Sequence, residues 1–163
     1  LKHFPGHGSS QDDSHLGLVD VSRSWSRQEL IPYRSLIRQG LCDMVMTAHT
    51  FNTAIDPDYP ATLSKATIDG ILRKQLGFQG VVISDDLYMG AIIRHYSYET
   101  AIEKAINAGV DLLIVANDKL YRPDIMPRSI ELLVSMVQQG KIPAERIDQA
   151  CGRIMALKRN RLS

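Results

Sequence analysis

The sequence predicts an α/β fold built on a parallel sheet, and three observations carry that expectation. Short, nearly unbroken apolar runs at 1–4, 43–49, 80–86 and 110–117 are each followed by a segment with helical spacing. Strands read this way when crossover helices cover both faces of a parallel sheet. Each run also ends abruptly in a polar or titratable group: His3, His49, the pair Asp85–Asp86, and Asn117. Two architectures satisfy this order, an open doubly wound sheet or part of a closed eight-stranded barrel. A whole barrel takes about 250 residues, so four strand–helix units in 163 residues amount to roughly half of one. In either architecture ligands bind at the C-terminal tips of the strands.

Three of the chain's five histidines, His3, His7 and His15, fall in the first run and the polar loop that follows it. Beyond it, Ser26 with Glu29 three positions later reads as a capping box, opening a helix that carries Leu30, Tyr33, Leu36 and Ile37 on one face and stops at Gly40. The second run ends at His49 and leads through a loop rich in Asp and Pro to Ser64, an expected N-cap. The helix it opens carries Ile68, Ile71, Leu72 and Leu76 and ends at Gly77. The third run, 80–86, passes from β-branched residues to two carboxylates. Ser97 opens the next helix, with Ala101, Ile102, Ala105 and Ile106 on one face, and Gly109 follows. After the fourth run, helical patterns are expected from about 130 to 137 and from 144 to 157, separated by Gly140 and Pro143.

Bulk properties exclude several classes of function. With 19 basic and 18 acidic residues the net charge is +1, which gives no footprint for nucleic acid or an anionic membrane. No segment approaches the roughly 18 consecutive apolar residues that span a bilayer. Cys42 and Cys151 are isolated within or beside apolar segments, so buried thiols are expected and a disulfide framework is not. Leu1 reads as the middle or end of a strand, so the chain is expected to be part of a longer one. The cytoplasm is the expected compartment, with the periplasm or secretion as the alternative.

The chemistry is concentrated at the predicted tips. A carboxylate ending a hydrophobic strand loses solvation and is kept there when it is paired, hydrogen-bonded or used, which singles out Asp85 and Asp86. Asp13 and His15 stand two residues apart, so the loop can turn the carboxylate onto the ring and fix its tautomer for acid–base work near neutral pH. The segment Gly6-His7-Gly8-Ser9-Ser10 is a poor phosphate cradle, because no helix start follows and Asp12 and Asp13 would repel an anion. A hydrolytic metal site using His3, His7, His15, His49 and Asp85 is a competing reading, weakened by the lack of a tight ligand pair on a helix. No cofactor or metal is expected.

Lys2-His3-Phe4-Pro5-Gly6-His7-Gly8 with Asp13-Ser14-His15, then Met46-Thr47-Ala48-His49, Pro60-Ala61-Thr62-Leu63-Ser64 and Ile83-Ser84-Asp85-Asp86, resembles the family 3 glycoside hydrolases, specifically their bacterial β-N-acetylhexosaminidase branch. The resemblance runs on to Arg153-Ile154-Met155-Ala156-Leu157-Lys158. It implies a (β/α)8 barrel of the TIM type, of which 1–163 is the C-terminal half with about the last four β/α units. It further implies a retaining exo-hydrolase acting on terminal β-linked N-acetylglucosamine, in peptidoglycan fragments or related oligosaccharides, through a covalent glycosyl-enzyme. Residue by residue, Asp85 matches the nucleophile, His15 the acid/base and Asp13 its dyad partner, while Lys2 and His3 match sugar-holding positions. Asp86 matches no catalytic position and is expected to cap or support. The partner implied is a carbohydrate, and the remaining N-terminal half-barrel is expected to be required, so that 163 residues alone hydrolyse little. Gly8-Ser9-Ser10-Gln11 departs from the family's more frequent acidic and Thr residues. A β-glucosidase of the same superfamily, a metal-dependent hydrolase and a carbohydrate-binding or assembly fragment are the alternatives.

Overall fold

A computed structural model describes residues 1–10, 17–116 and 121–162. Its centre is a parallel array in which segment 1–4, β2 (Met44–Met46), β4 (Val81–Asp86) and β5 (Leu112–Ile114) lie side by side in that order. Segment 1–4 joins β2 through a bridge between Phe4 and Thr47, with Phe4 N–H donating to the Met46 carbonyl at 2.8 Å and Ala48 N–H to the Phe4 carbonyl at 2.7 Å. Met44 pairs with Val81 and Met46 with Ile83 in the next ladder. This is the α/β, TIM-barrel-type architecture read from the sequence, with four strand positions and their tips on one side.

A second, two-stranded parallel ribbon, not expected from the sequence, joins β1 (Val19–Asp20) to β3 (Thr50–Phe51). Because β3 starts directly after His49, the ribbon ties residues 19–21 to the tip side of β2. Two residues per strand give no periodicity to read, so the omission has a simple cause.

The helices follow the expected order with local differences. Ser64 and Ser97 cap as anticipated, their hydroxyls accepting from Thr67 N–H at 3.0 Å and Thr100 N–H at 3.1 Å. The helix Ala66–Gln75 is wound as a π-helix, and α3 (Tyr98–Ala108) ends at Gly109, whose φ of 122° suits a residue without a Cβ. A short α2 (Gly90–Ile93) precedes α3, and α4 (Ile125–Gln138) and α5 (Ala144–Leu162) complete the chain. The Ser26–Glu29 capping box does not form: Ser26 Oγ accepts from Gln28 N–H, and the Glu29 carboxylate reaches elsewhere. Arg27–Leu30 is a 3₁₀ turn feeding α1 (Ile31–Arg38), so the N-terminal geometry of a capping box is absent.

The main core gathers Phe4, Val45, Leu63, Ile68, Leu72, Phe78 and Val82, with Leu87, Ile102, Ile106, Met136 and Ile142 in a second cluster. Val81 and Val82 are fully buried, but β5 is only half-buried, against the expectation of strands covered on both faces. Among the described residues β5 has a strand neighbour on one side alone. Cys42 is half-buried and Cys151 exposed, so the expectation of two buried thiols fails at Cys151, which α5 turns outward. No helix among the described residues is long and apolar enough to cross a membrane.

Candidate active site at the strand tips

The tips of segment 1–4, β2 and β4 converge on Asp85. Its carboxylate is about one-fifth exposed, and Oδ2 lies 3.8 Å from Nε2 of His3, a contact that becomes an ion pair when the ring is protonated. Oδ1 accepts from the Asp86 amide at 2.9 Å. One oxygen is therefore held by backbone and the other faces His3.

His3 is delivered by a segment anchored just beyond it. Phe4 is fully buried and meets Tyr33 edge to face at 5.1 Å. The Lys2–His3 and Phe4–Pro5 peptide bonds are both cis. Lys2 is exposed and makes no hydrogen bond or ion pair among the described residues. His7 stands edge-on to His3 at 6.3 Å.

The strand ladder changes character at the carboxylates. The register between β4 and β5 shifts between Ile83 and Asp86. Side chains take over there: Ser84 Oγ accepts from Ile114 N–H at 2.9 Å, and Asp86 Oδ1 from Ala116 N–H at 2.9 Å and Tyr88 N–H at 3.0 Å. Asp86 is thus a backbone cap, as expected, and its carboxylate is occupied where that of Asp85 is presented.

In the sequence His49 reads as a strand-tip histidine and as one of the candidate metal ligands. Its ring is fully buried, with Nδ1 2.8 Å from Thr62 Oγ1 and Nε2 2.8 Å from the Asp86 carbonyl oxygen. With both nitrogens engaged, it is unavailable to a metal, which removes one ligand from the metal reading. Among the described residues no group of three His, Cys, Asp or Glu side chains is placed to hold an ion.

Asp13 and His15 lie outside the described residues, but the chain on either side of them is anchored. Trp25 Nε1–H donates to the Pro5 carbonyl at 3.1 Å, and Glu29 accepts from Gly8 N–H at 3.2 Å and Ser9 Oγ–H at 2.6 Å. Gly6, at φ 128°, lies so close that a Cβ there would collide with the Glu29 carboxylate. On the far side, β1 is held against β3. Glu29→Ala is expected to weaken this stem by about 1.5–3 kcal/mol for a lost charge-assisted bond, measured as faster hydrogen exchange of the Gly8 amide. Unchanged exchange would show that the stem is held by other contacts.

An apolar cavity of about 290 Å³ lies apart from these tips, lined by residues such as Leu113, Ile130, Leu133 and Ile154. Its one carboxylate, Asp111, is tied to three guanidinium groups. The rest of its lining is mostly packing surface, with Tyr98, Ser129 and Cys151 as the further side chains that carry a polar atom or a thiol.

Comparison with known proteins supplies the remaining finding. Residues 1–157 match the model for the glycosyl hydrolase family 3 N terminal domain. A beta-hexosaminidase of Tolumonas auensis is 41% identical over 121 residues, covering 72% of this chain and 36% of its own length. The solved structure of a glycoside hydrolase family 3 beta-N-acetylglucosaminidase from Paenibacillus sp. FPU-7 superposes with a TM-score of 0.89 at 41% identity, covering 99% of this chain and 30% of its own. That of the beta-N-acetylglucosaminidase from Thermotoga maritima gives 0.78 at 32% identity, covering 96% and 33%. The chain thus spans about a third of the length of the proteins it matches.

Proposed function

This chain belongs to glycosyl hydrolase family 3, and from that premise we propose that the protein containing it is a retaining, exo-acting β-N-acetylhexosaminidase. Its substrates are terminal β-linked N-acetylglucosamine units of peptidoglycan fragments or related oligosaccharides. Residues 1–163 would be the C-terminal half of its catalytic barrel, the other half supplying further sugar contacts.

The observation that carries the reading is Asp85 at the tip of β4, with one oxygen on the Asp86 amide and the other turned toward His3. In the proposed reaction Oδ2 attacks the anomeric carbon from one face of the sugar while His15 donates a proton to the departing oxygen on the other. His15 then takes a proton from water, which attacks the same carbon and releases Asp85. Asp13 holds the ring in the tautomer needed for each transfer. Lys2 and His3 hold the sugar hydroxyls, and the exposure of Lys2 leaves its ammonium available for that contact.

The test is covalent trapping in the full-length protein. A 2-acetamido-2-deoxy-5-fluoro glycoside with a good leaving group is expected to label Asp85, as read by peptide mass spectrometry. Chromogenic N-acetylglucosaminide should be turned over in preference to glucoside, and the 163-residue chain alone should remain unlabelled. Labelling of another residue, or a preference for glucoside, would overturn the assignment.

A further inference from the structure

We infer that His49 is a positioning residue for the Asp85 carboxylate, acting as a neutral imidazole that ends a directed hydrogen-bond chain on the Asp86 carbonyl. This rests on the reading of Asp85 as nucleophile.

The direction of the chain follows from proton counting. A carbonyl oxygen only accepts, so Nε2 of His49, 2.8 Å from the Asp86 carbonyl, must carry a hydrogen. The ring is fully buried, and that loss of solvation pulls its pKa below the ordinary 6.5. The Asp86 carbonyl and the Asp85 and Asp86 carboxylates favour the cation and His3 opposes it, but burial dominates. Nδ1 is then bare and has to accept.

The hydroxyl at Nδ1 is that of Thr62, at 2.8 Å, which has a single proton to give. Placing that proton on the Ala48 carbonyl, also 2.8 Å away, would leave the buried Nδ1 with no donor. The Ala48 carbonyl already receives Thr62 N–H at 3.1 Å, so it does not need the hydroxyl. With its proton on His49, Thr62 Oγ1 accepts from the Thr47 hydroxyl at 2.8 Å. The order is Thr47 to Thr62 to His49 to Asp86.

What the chain grips is the residue that orients the nucleophile. The Asp86 carbonyl is fixed by His49, its Oδ1 by Tyr88 and Ala116 N–H, and its own N–H points at Asp85 Oδ1. Rotation of that residue would withdraw the hydrogen bond from Asp85. A neutral donor does this without placing a positive charge beside the carboxylate, which would lower its basicity and its nucleophilicity.

The experiment uses the full-length enzyme and compares two amide replacements of different reach. In His49→Gln the amide nitrogen falls near the position of Nε2, whereas in His49→Asn it stops near that of Nδ1. His49→Asn is expected to slow labelling of Asp85 by the fluoro sugar, and kcat, by about 10²-fold, as for a displaced reacting group. KM and inhibition by N-acetylglucosamine should stay unchanged, and His49→Gln should label at close to the wild-type rate with the same acid limb in its pH profile. Thr47→Val, which removes the head of the chain while leaving the ring, should show a smaller loss in the same direction. The inference is overturned if the folded His49→Asn and Thr47→Val variants both label at the wild-type rate, if sugar affinity falls in parallel with labelling, or if the acid limb disappears in His49→Gln. Labelling of the wild type elsewhere than Asp85 would instead overturn the nucleophile assignment on which it stands.

Discussion

Replacing Asp111 with alanine in the full-length protein is expected to destabilise this domain by about 3–5 kcal/mol, the cost of breaking a buried charge cluster by removing one partner. The Asp111 side chain is fully buried at the N-terminal end of β5. Its Oδ2 accepts from Arg73 at 2.8 Å and from Val82 N–H at 3.0 Å, and its Oδ1 from Arg146 at 2.8 Å and Arg153 at 3.0 Å. Arg73 comes from the π-helix and also donates to the Phe78 and Gly80 carbonyls, while Arg146, from α5, reaches the carbonyls of Ile106 and Val110. One carboxylate therefore stitches β4, β5, the π-helix and α5 at the end of the sheet opposite the strand tips. Without it, three guanidinium groups that are 11–26% exposed face one another uncompensated. The measurement is hydrogen exchange over β5 and α5 under increasing urea. Asp111→Asn separates charge from shape: it should lose most of the same stability, and an Asn variant as stable as the wild type would show that hydrogen bonding alone holds the cluster.

That cluster also marks the limit of what the sequence discloses. Solvation rules single out Asp85 and Asp86 because each ends an apolar strand, and the same rule applies to Asp111, which stands between Val110 and Leu112 at the start of one. The rule says that such a carboxylate is paired, but its guanidinium partners are 35–42 residues away and no local pattern names them. Local signals did translate where the partner was local: Ser64 and Ser97 cap as read. Glu29 is the instructive failure. Its spacing from Ser26 suits a capping box, yet tertiary contact with Gly8 and Ser9 captures the carboxylate first. His49 could be placed at a tip from sequence, but its chain through Thr62 depends on a loop folding back across 13 residues. The division of labour between Asp85 and Asp86 depends likewise on the register shift against β5, which arises only once the strands pair.

Changing Asp85 to glycine is expected to lower kcat/KM of the full-length enzyme by about 10⁴-fold or more, the scale seen when a covalent nucleophile is removed. His15→Ala should cost about 10²–10⁴-fold, the usual worth of a general acid and base, and less for leaving groups that depart without a proton. Rate losses alone would not assign the two roles, because both steps of a double displacement fail without either group. Added azide does assign them. In the Asp85→Gly enzyme the anion enters the space left beside His3 and attacks the anomeric carbon from the face that the carboxylate occupied, so a β-glycoside yields the α-azide. In the His15→Ala enzyme Asp85 still forms its α-linked ester with an activated substrate, and azide displaces it from the opposite face, giving the β-azide. Opposite product configurations from the two variants, read by the anomeric proton coupling in NMR, are therefore the expected result. A β-azide from Asp85→Gly would place the nucleophile elsewhere. Oδ1 of Asp85 is held by the Asp86 amide and Oδ2 lies toward His3, so in the proposed reaction Oδ2 is the oxygen whose place the azide takes.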